Sequence, residues 1–507
     1  MNLSRLRRGL AATAVSMTLV TLSACGASTT AGSSTTSSGS GSSTSVSAAA
    51  FTTPADTHAD ADDGDYDATD ATMITLADGA STVDGDGASV KGDVVTITAA
   101  GTYILSGTLS DGQVVVNSTG EGKVKLVLDG VDLTSASTSP VVVTAADEAV
   151  VILADGSNNT LSDSSASGSD DDTEDAPTAT LFSMADLTIA GSGSLDVTGA
   201  SNDAIASKDG LVILSGTIKV DAVDDGIRGK DYLAIEGGTV SVTAGGDGLK
   251  SDNDTTGELG WIQLDAGTVS VSAGSQGADA VGAIYVADGT LTIPKSEEGL
   301  QAAVITISGG TVAITASDDG INATSHTAQG GSEQAEDGVL ATISGGTVTI
   351  AAGSDGLDSN GSATISGGTV AISAQTGGGG NGALDVNGTL TAPDVATVDT
   401  SGVGSGERVT LTDADGTVVA SFVRTGTATS QVVLADGLTS GETYTVYTGD
   451  STSATSVDGL TKAGTVTATD SSAASTSMGG GGGRGGGFGG GPGGRPGSTS
   501  DSQGTSS

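Results

Sequence analysis

A glycine-centred phrase recurs down most of this chain at close to twenty-two residues, and it limits the fold more than any other feature. The phrase reads apolar–x–apolar–x–Gly–Thr–apolar–x–apolar. Clear copies are "AIEGGTVSVTA" at Gly238, "ITISGGTVAITAS" at Gly310, "ATISGGTVTIAA" at Gly346 and "ATISGGTVAISA" at Gly368. The turn glycines are Gly193, Gly216, Gly238, Gly267, Gly289, Gly310, Gly346, Gly368 and Gly388, with steps of 23, 22, 29, 22, 21, 36, 22 and 20. A fixed period of this kind marks a solenoid whose repeats stack on their neighbours, and a long step marks an inserted loop.

Each copy alternates. Ile305, Ile307, Val312 and Ile314 fall on one face, with Thr, Ser and Ala on the other. Val, Ile and Thr favour pleated strands, and Gly-Gly or Ser-Gly supplies the bend. No helix-period segment of the length a leucine-rich repeat needs is visible. The expected fold is all-β, a parallel β-helix with a narrow aliphatic core, in keeping with 2% aromatic residues. A two-sheet sandwich is the alternative, but sandwiches rarely keep so regular a period. About fourteen coils fit between residues 74 and 395, a rod of roughly 70 Å at one strand spacing per coil.

The ends read differently. Arg5, Arg7 and Arg8 precede a short apolar stretch from Leu10 to Leu22, a secretion signal too short to span a membrane comfortably. Leu22-Ser23-Ala24-Cys25-Gly26 resembles the lipobox of bacterial lipoproteins, and Cys25 is the only cysteine. Residues 1–25 are expected to be a lipoprotein signal ending at a lipidated Cys25. The protein would then be held at the outer face of the bacterial cell membrane through the lipid alone. Residues 26–72 are read as a linker, first Ser/Thr/Gly-rich, then acidic and solvated from Asp56 to Asp70. The acidic stretch lacks EF-hand spacing, because no Asp stands five residues before Gly64. The rod is expected over 73–397 and a small antiparallel β module over 398–470. In that module Asp413-Ala414-Asp415-Gly416 makes a hairpin turn. The module follows the end of the rod, where it would cap an open edge. Residues 471–507 read as a disordered Gly-rich tail. A lone cysteine excludes internal disulfides. The formal net charge of −44, from 61 acidic and 17 basic residues, argues against nucleic acid as a partner.

Chemistry concentrates in three consecutive coils: "SNDAIASKDGL" from Ser201, "VDDGIRGKDYL" from Val223 and "GGDGLKSDNDT" from Gly245. At this spacing Asp203, Asp225 and Asp247 stack, Arg228 lies under Lys250, Lys208 lies under Lys230, and Asp209, Asp231 and Asn253 form a further ladder. Asp-Gly steps return at Asp318-Asp319-Gly320 and Asp355-Gly356. Carboxylates stacked about 5 Å apart repel unless they are solvated, interleaved with cations, or hold a metal ion. Ca2+ accepts six to eight oxygens in flexible geometry and suits such an array. The candidate ligands are Asp203, Asp209, Asp224, Asp225, Asp231, Asp247, Asp252, Asp318, Asp319 and Asp355. Each Asp taken alone is better accounted for as a turn residue at a solenoid corner, and only the array as a whole points to calcium.

"GTYILSGTLSDGQVVV", "VKLVLDGVDLTSA", "DDGIRGKDYLAIEGGTVSVTAGGDGLKSDND" and "ASDDGINAT" resemble a bacterial extracellular family of carbohydrate-binding domain proteins, over roughly Ile74 to Leu390. The resemblance implies a right-handed parallel β-helix with bound calcium, similar in fold to pectate lyases. It also implies binding of plant cell-wall polysaccharide, of the cellulose or polygalacturonate kind, without cleavage. The chain departs from the pattern at Ala278-Asp279-Ala280, where an Asp-Gly step is expected, and at an insertion from Ser325 to Asp337. The expectation is a monomeric, lipid-anchored binder of acidic polysaccharide, with Lys208, Arg228, Lys230, Lys250 and Trp261 at the ligand; Trp261 follows an insertion and reads equally as exposed or as a loop residue packing on the rod. Two alternatives stand beside it. One is a calcium-dependent polysaccharide lyase with Arg228 or Lys230 as base, and the other is a passive surface scaffold. A Ser/His/Asp site is improbable, because the two histidines, His58 and His326, fall in the linker and the insertion.

Overall fold

The computed structural model describes residues 55–164, 176–326, 334–374 and 382–473. The chain winds as a parallel β-helix with three strands per coil. One sheet holds Leu187–Gly191, Gly210–Ile213, Tyr232–Ile235 and Trp261–Leu264 in register. The turn glycine leads to a second sheet, Thr217–Ala222, Thr239–Ala244, Thr268–Ser272 and their successors. The Asp-Gly corner then leads to a third, of very short strands such as Ile227–Gly229 and Leu249–Ser251. This third strand is not apparent from the alternation, because three residues are too few to show a period.

Stacking puts like on like. Ile213, Ile235 and Leu264 line one interior column, and Val220, Val242 and Val271 another, all within a continuous aliphatic core. The turn glycines are held for two reasons. Gly216, Gly238, Gly267, Gly289, Gly310, Gly346 and Gly368 all have positive φ, where a Cβ is strained. They also stack so closely that a Cβ on Gly310 would lie 2.7 Å from the Gly289 carbonyl oxygen. Gly193 and Gly388 keep the phrase without this geometry; in that coil the positive φ belongs to Gly191.

At the far end, Ser430–Ala435 pairs antiparallel with Thr369–Ser373 of the last coil and with Val395–Asp399. The expected cap is therefore built by a strand inserted from the module into the rod's own sheet, so the two share a hydrogen-bonded boundary. The rest of the module is a four-stranded antiparallel sheet, with Arg408–Thr412 and Val418–Val423 joined by the turn at Gly416.

Most carboxylates of the acidic stretch are exposed, Asp56, Asp60, Asp62, Asp65, Asp67 and Asp70 among them, but its first half docks on the rod and buries Asp63, which the sequence reading did not expect. The outward face of the first sheet is apolar, with Val212, Ala234, Trp261, Ala283 and Val304 buried there, and residues 55–66 cross it as a strap. Ala55 N–H donates to Gln263 (2.8 Å), Thr57 Oγ1 to Glu236 (2.9 Å) and His58 N–H to the Tyr232 hydroxyl (2.9 Å). Farther along, Asp63 is 2% exposed and ion-paired to Lys123 (2.5 Å), which also meets Glu148 (2.8 Å). An extended chain crosses successive coils cheaply, because each strap residue advances by about two-thirds of a coil spacing.

Gly310→Ala is expected to destabilise the protein by roughly 1–3 kcal/mol through positive-φ strain and the carbonyl contact together. Gly416→Ala, with positive φ but open space around it, separates the two effects and should cost less in urea unfolding. Equal losses for the two variants would show that the stacked contact contributes nothing.

Candidate functional site: the charged corner of the third sheet

The Asp-Gly corners place one acidic column at the entrance to the third sheet. The Asp203 carboxylate accepts the Asp225 N–H (3.2 Å), Asp225 accepts the Asp247 N–H (2.9 Å), and Asp247 accepts the Gln276 N–H (3.1 Å). Backbone bonding carries this column on through Gln276, Glu298, Asp319 and Asp355. There Asp319 again accepts the Asp355 N–H (2.8 Å), and Asp355 the Gly382 N–H (2.6 Å). Each aspartate is thus a corner residue satisfying an amide of the next coil.

Three residues on, a second outward column runs Ala206, Arg228, Lys250, Asp279, Gln301, Asn322, Asp358 and Asp385. The two columns together decide the electrostatics. In the upper coils the Lys250 ammonium bridges Asp225 (2.9 Å) and Asp247 (2.7 Å). Arg228 grips Asp252 with two nitrogens, 3.2 and 2.5 Å, and stands 4.0 Å from Asp203. These cations offset part of the ladder's charge, and against the pull of burial the Asp247 and Asp225 carboxylates hold the Lys250 pKa well above its usual range. Burial, reinforced by Asp225, pushes the Asp203 carboxyl up to about 7. Asp203, Asp225 and Asp247 are buried, at 2, 6 and 6% exposure, whereas Asp224 is exposed. In the upper ladder, then, Asp225 and Asp247 already have a cationic partner in Lys250. Arg228 and Lys250 are not the free ligand-binding cations the sequence reading expected.

The lower coils are different. Asp279 meets His326 (3.2 Å), and its contact is the main cause that raises the histidine's pKa. Beyond it, Glu298, Asp319, Asp355, Asp358 and Asp385 crowd together with no lysine or arginine paired to them among the described residues. Asp318 lies exposed beside them. Burial, then the neighbouring charges of Asp319, Asp385 and Asp355, pushes Asp358 up to about 8. Burial first, then Asp318 and Asp355, puts Asp319 at about 7. Asn322 Nδ2 donates to Glu298 (2.9 Å), while Asn322 Oδ1 and the other Glu298 oxygen have no hydrogen-bond partner. The donor set, five carboxylates and an orphan amide oxygen, suits a hard oxygen-seeking cation. Among the described residues no three acidic, imidazole or thiol side chains are already disposed as a metal shell.

On the other side of the third sheet, Lys208 and Lys230 stack one coil apart, as their backbone bonds to Ser183 and Ser207 show. Neither has an acidic partner within salt-bridge distance among the described residues. Burial, then the like charges of Arg228 and Lys230, lowers the Lys208 pKa. The Asp209, Asp231 and Asn253 ladder is also present, with Asn253 donating to Asp231. Burial and then Asp186 push Asp209 up to about 6. Asp252, held by Arg228, and Asp231, held by Asn253, are not vacant metal ligands.

Two expectations fail here. Trp261 is a strand residue at 6% exposure, stacked on Tyr232 at 4.4 Å and 5° beneath the strap, because the insertion before it closes ahead of the strand. Asp279 does not replace an Asp-Gly step. Gln276-Gly277 holds that position, and Asp279 belongs with Arg228 and Lys250. Glu298, Asp358 and Asp385 were missed, although Glu298 holds the corner position of Asp319 and Asp355, and Asp358 and Asp385 repeat the offset of Arg228 and Lys250. Cys25 lies outside the described residues.

Residues 91–339 match the model of a family described as carbohydrate-binding domain-containing protein. A curated relative of that description from Acetivibrio thermocellus is 34% identical over 137 residues, 27% of this chain and 48% of the relative. The chain thus spans about half the length of that relative. The solved structure of the polysaccharide lyase-like protein from C. thermocellum, a gadolinium derivative, is 30% identical and aligns over 48% of this chain and 93% of that one, with a TM-score of 0.42.

The raised carboxyls give a signed pH prediction. A folded pKa above the unfolded value stabilises the protein below that unfolded value, and the benefit is lost as pH rises through the folded one. With divalent cations chelated, the unfolding midpoint should fall as pH rises from about 4 to about 8, the window spanned by Asp319 and Asp358. Asp358→Asn should flatten that slope.

Proposed function

We propose that this protein binds acidic polysaccharide at the corner carrying Lys208 and Lys230, on a rod whose lower acidic columns are stabilised by Ca2+. The observation that carries this reading is the unpaired lysine stack. In a chain of net charge −44, the other cations at this corner are paired with carboxylates, while these two, at one coil spacing, have no acidic partner among the described residues. Two ammonium groups so placed suit carboxylates repeated along a polymer, through charge-assisted hydrogen bonds. The match to carbohydrate-binding domain-containing proteins over residues 91–339 supports the ligand class. Polygalacturonate fits the charge, and cellulose lacks it. The reading is of binding without cleavage: of the two candidate bases Arg228 is tied to Asp252, and Lys230 is assigned to the binding stack.

For the metal, Glu298, Asp319, Asp355, Asp358 and Asp385 are the residues that would hold Ca2+. The ion would relieve their mutual repulsion and, binding only the folded rod, would raise its stability by mass action. Cys25 is proposed as the lipidated residue that holds the rod at the outer face of the membrane.

Lys208→Ala with Lys230→Ala should weaken retention on polygalacturonate at least tenfold, about 1.4 kcal/mol. It should leave the unfolding midpoint in place, and wild-type retention should fall with salt. Lys250→Ala should instead destabilise the rod by on the order of 3 kcal/mol, because it leaves two largely buried aspartates unpaired. Unchanged retention in the lysine double variant would refute the site, and unsaturated products released from polygalacturonate would establish a lyase. Cys25→Ser should release the protein from membranes or block its processing; a variant that fractionates like wild type removes the anchor.

A further inference from the structure

The strap covers the largest aromatic surface on the rod. Trp261 is the chain's single tryptophan, and its indole stacks on Tyr232 on the outward face of the first sheet. On its other side the column continues with Ala283, too small to cover an indole. Polar groups flank the pair: the Gln263 amide, the Glu236 carboxylate and the Tyr232 hydroxyl. What meets these groups is the chain's own segment. An amide N–H of Ala55 reaches Gln263, a hydroxyl of Thr57 reaches Glu236, and the His58 N–H reaches Tyr232. A sugar hydroxyl supplies the same donors, and the apolar face of a pyranose ring supplies the same cover for an aromatic ring. The strap itself brings little apolar surface: among its residues Ala59 packs on this cluster.

Its hold is made of titratable contacts. His58 Nδ1 lies 2.6 Å from the Tyr232 hydroxyl and 3.4 Å from Asp186, and Nε2 lies 3.0 Å from the Thr188 hydroxyl. Lys123 of the rod and Asp63 of the strap also face the ring's charge. Asp63 pairs with Lys123 at the far end of the strap.

We propose that the track formed by Tyr232, Trp261 and Gln263 is a stacking site for a pyranose ring, kept shut by the chain's own residues 55–63, and that acid opens it. The ligand class rests on the polysaccharide reading above, while the opening does not. Burial, against the pull of Asp186, keeps His58 below the ordinary value of 6.5. A docked strap thus disfavours the imidazolium. Strap docking is complete above the free-imidazole value and weakens as pH falls below it. The strap is thereby a competitor for the aromatic pair that a mildly acidic medium removes.

The single tryptophan makes the test direct, because all indole emission reports Trp261. In the full-length protein without ligand, acidification from pH 7.5 to 5 should red-shift the emission and raise acrylamide quenching. His58→Gln, which keeps hydrogen-bonding groups but cannot charge, should stay blue-shifted at pH 5. Asp63→Asn, which removes the buried one of the two strap carboxylates on Lys123 (Asp60, at 3.1 Å, is the other), should be red-shifted at pH 7.5 already. A soluble neutral β-glucan should then bind the Asp63→Asn protein about tenfold more tightly than wild type at pH 7.5, roughly one stacked ring's worth of affinity. Emission unmoved by pH and by both variants overturns the strap as a gate. A pH response that His58→Gln retains overturns His58 as its trigger. Exposed Trp261 without a gain in glucan binding overturns the stacking site. Loss of polygalacturonate binding in the lysine double variant is read separately, since Lys208 and Lys230 lie outside the strap's contacts.

Discussion

In-register stacking sets each side chain about 4.8 Å from its counterpart one coil away, and the charges on this rod answer to that spacing. Two like charges about 5 Å apart repel by about 3 kcal/mol at an effective dielectric near 20. A column of buried aspartates is therefore untenable without compensation. The corner solves this in two ways. Each carboxylate takes the amide of the next coil, which suits one oxygen. The second oxygen is met by Lys250 in the upper coils and by no lysine or arginine among the described residues in the lower ones. The lysine-bridged ladder and the lower acidic ladder are the same backbone device with different residues three positions on.

That division was partly legible in the sequence. The period put Asp203 under Asp225 and Arg228 under Lys250, and both stacks are present. The glycine turn announced itself because φ and close approach both demand glycine, so the residue repeats without substitution. What a column does electrostatically was not legible, because it depends on which neighbouring column its second oxygen faces. Asp358 and Asp385 carry no signal of their own in the sequence, and only the third sheet places them in line with Lys250. Asp279 was assigned to the wrong column for the same reason: the coil between Lys250 and Asp279 carries an insertion, and counting residues across it loses the register.

The strap was illegible for a different reason. Composition marks residues 55–70 as acidic and polar, and such segments are usually solvated. Its partners lie from about 60 to more than 200 residues away, at Lys123, Tyr232 and Gln263, and no local period reports a contact of that range. The sign that something must lie there was on the rod instead. The first sheet carries apolar residues on both faces, with Val212, Ala234 and Trp261 pointing away from the core side occupied by Leu211, Leu233 and Ile262. A sheet buried on both faces needs a cover, since an exposed apolar stripe of that length invites association.

The three faces of the coil thus carry three kinds of surface, and this separates the roles. The second sheet presents Thr217, Thr239, Thr268, Thr290 and Thr311 in a stacked row, uncharged and hydroxylated, ending where the module's inserted strand pairs with Thr369–Ser373. The first sheet is covered by the strap. The third, with its short strands and two corners, collects the charge, because a three-residue strand between turns leaves most of its side chains at the rim. There the backbone fixes side-chain spacing while composition remains free. The same coil geometry therefore stacks ammonium groups at Lys208 and Lys230 and carboxylates at Asp358 and Asp385 a few coils away.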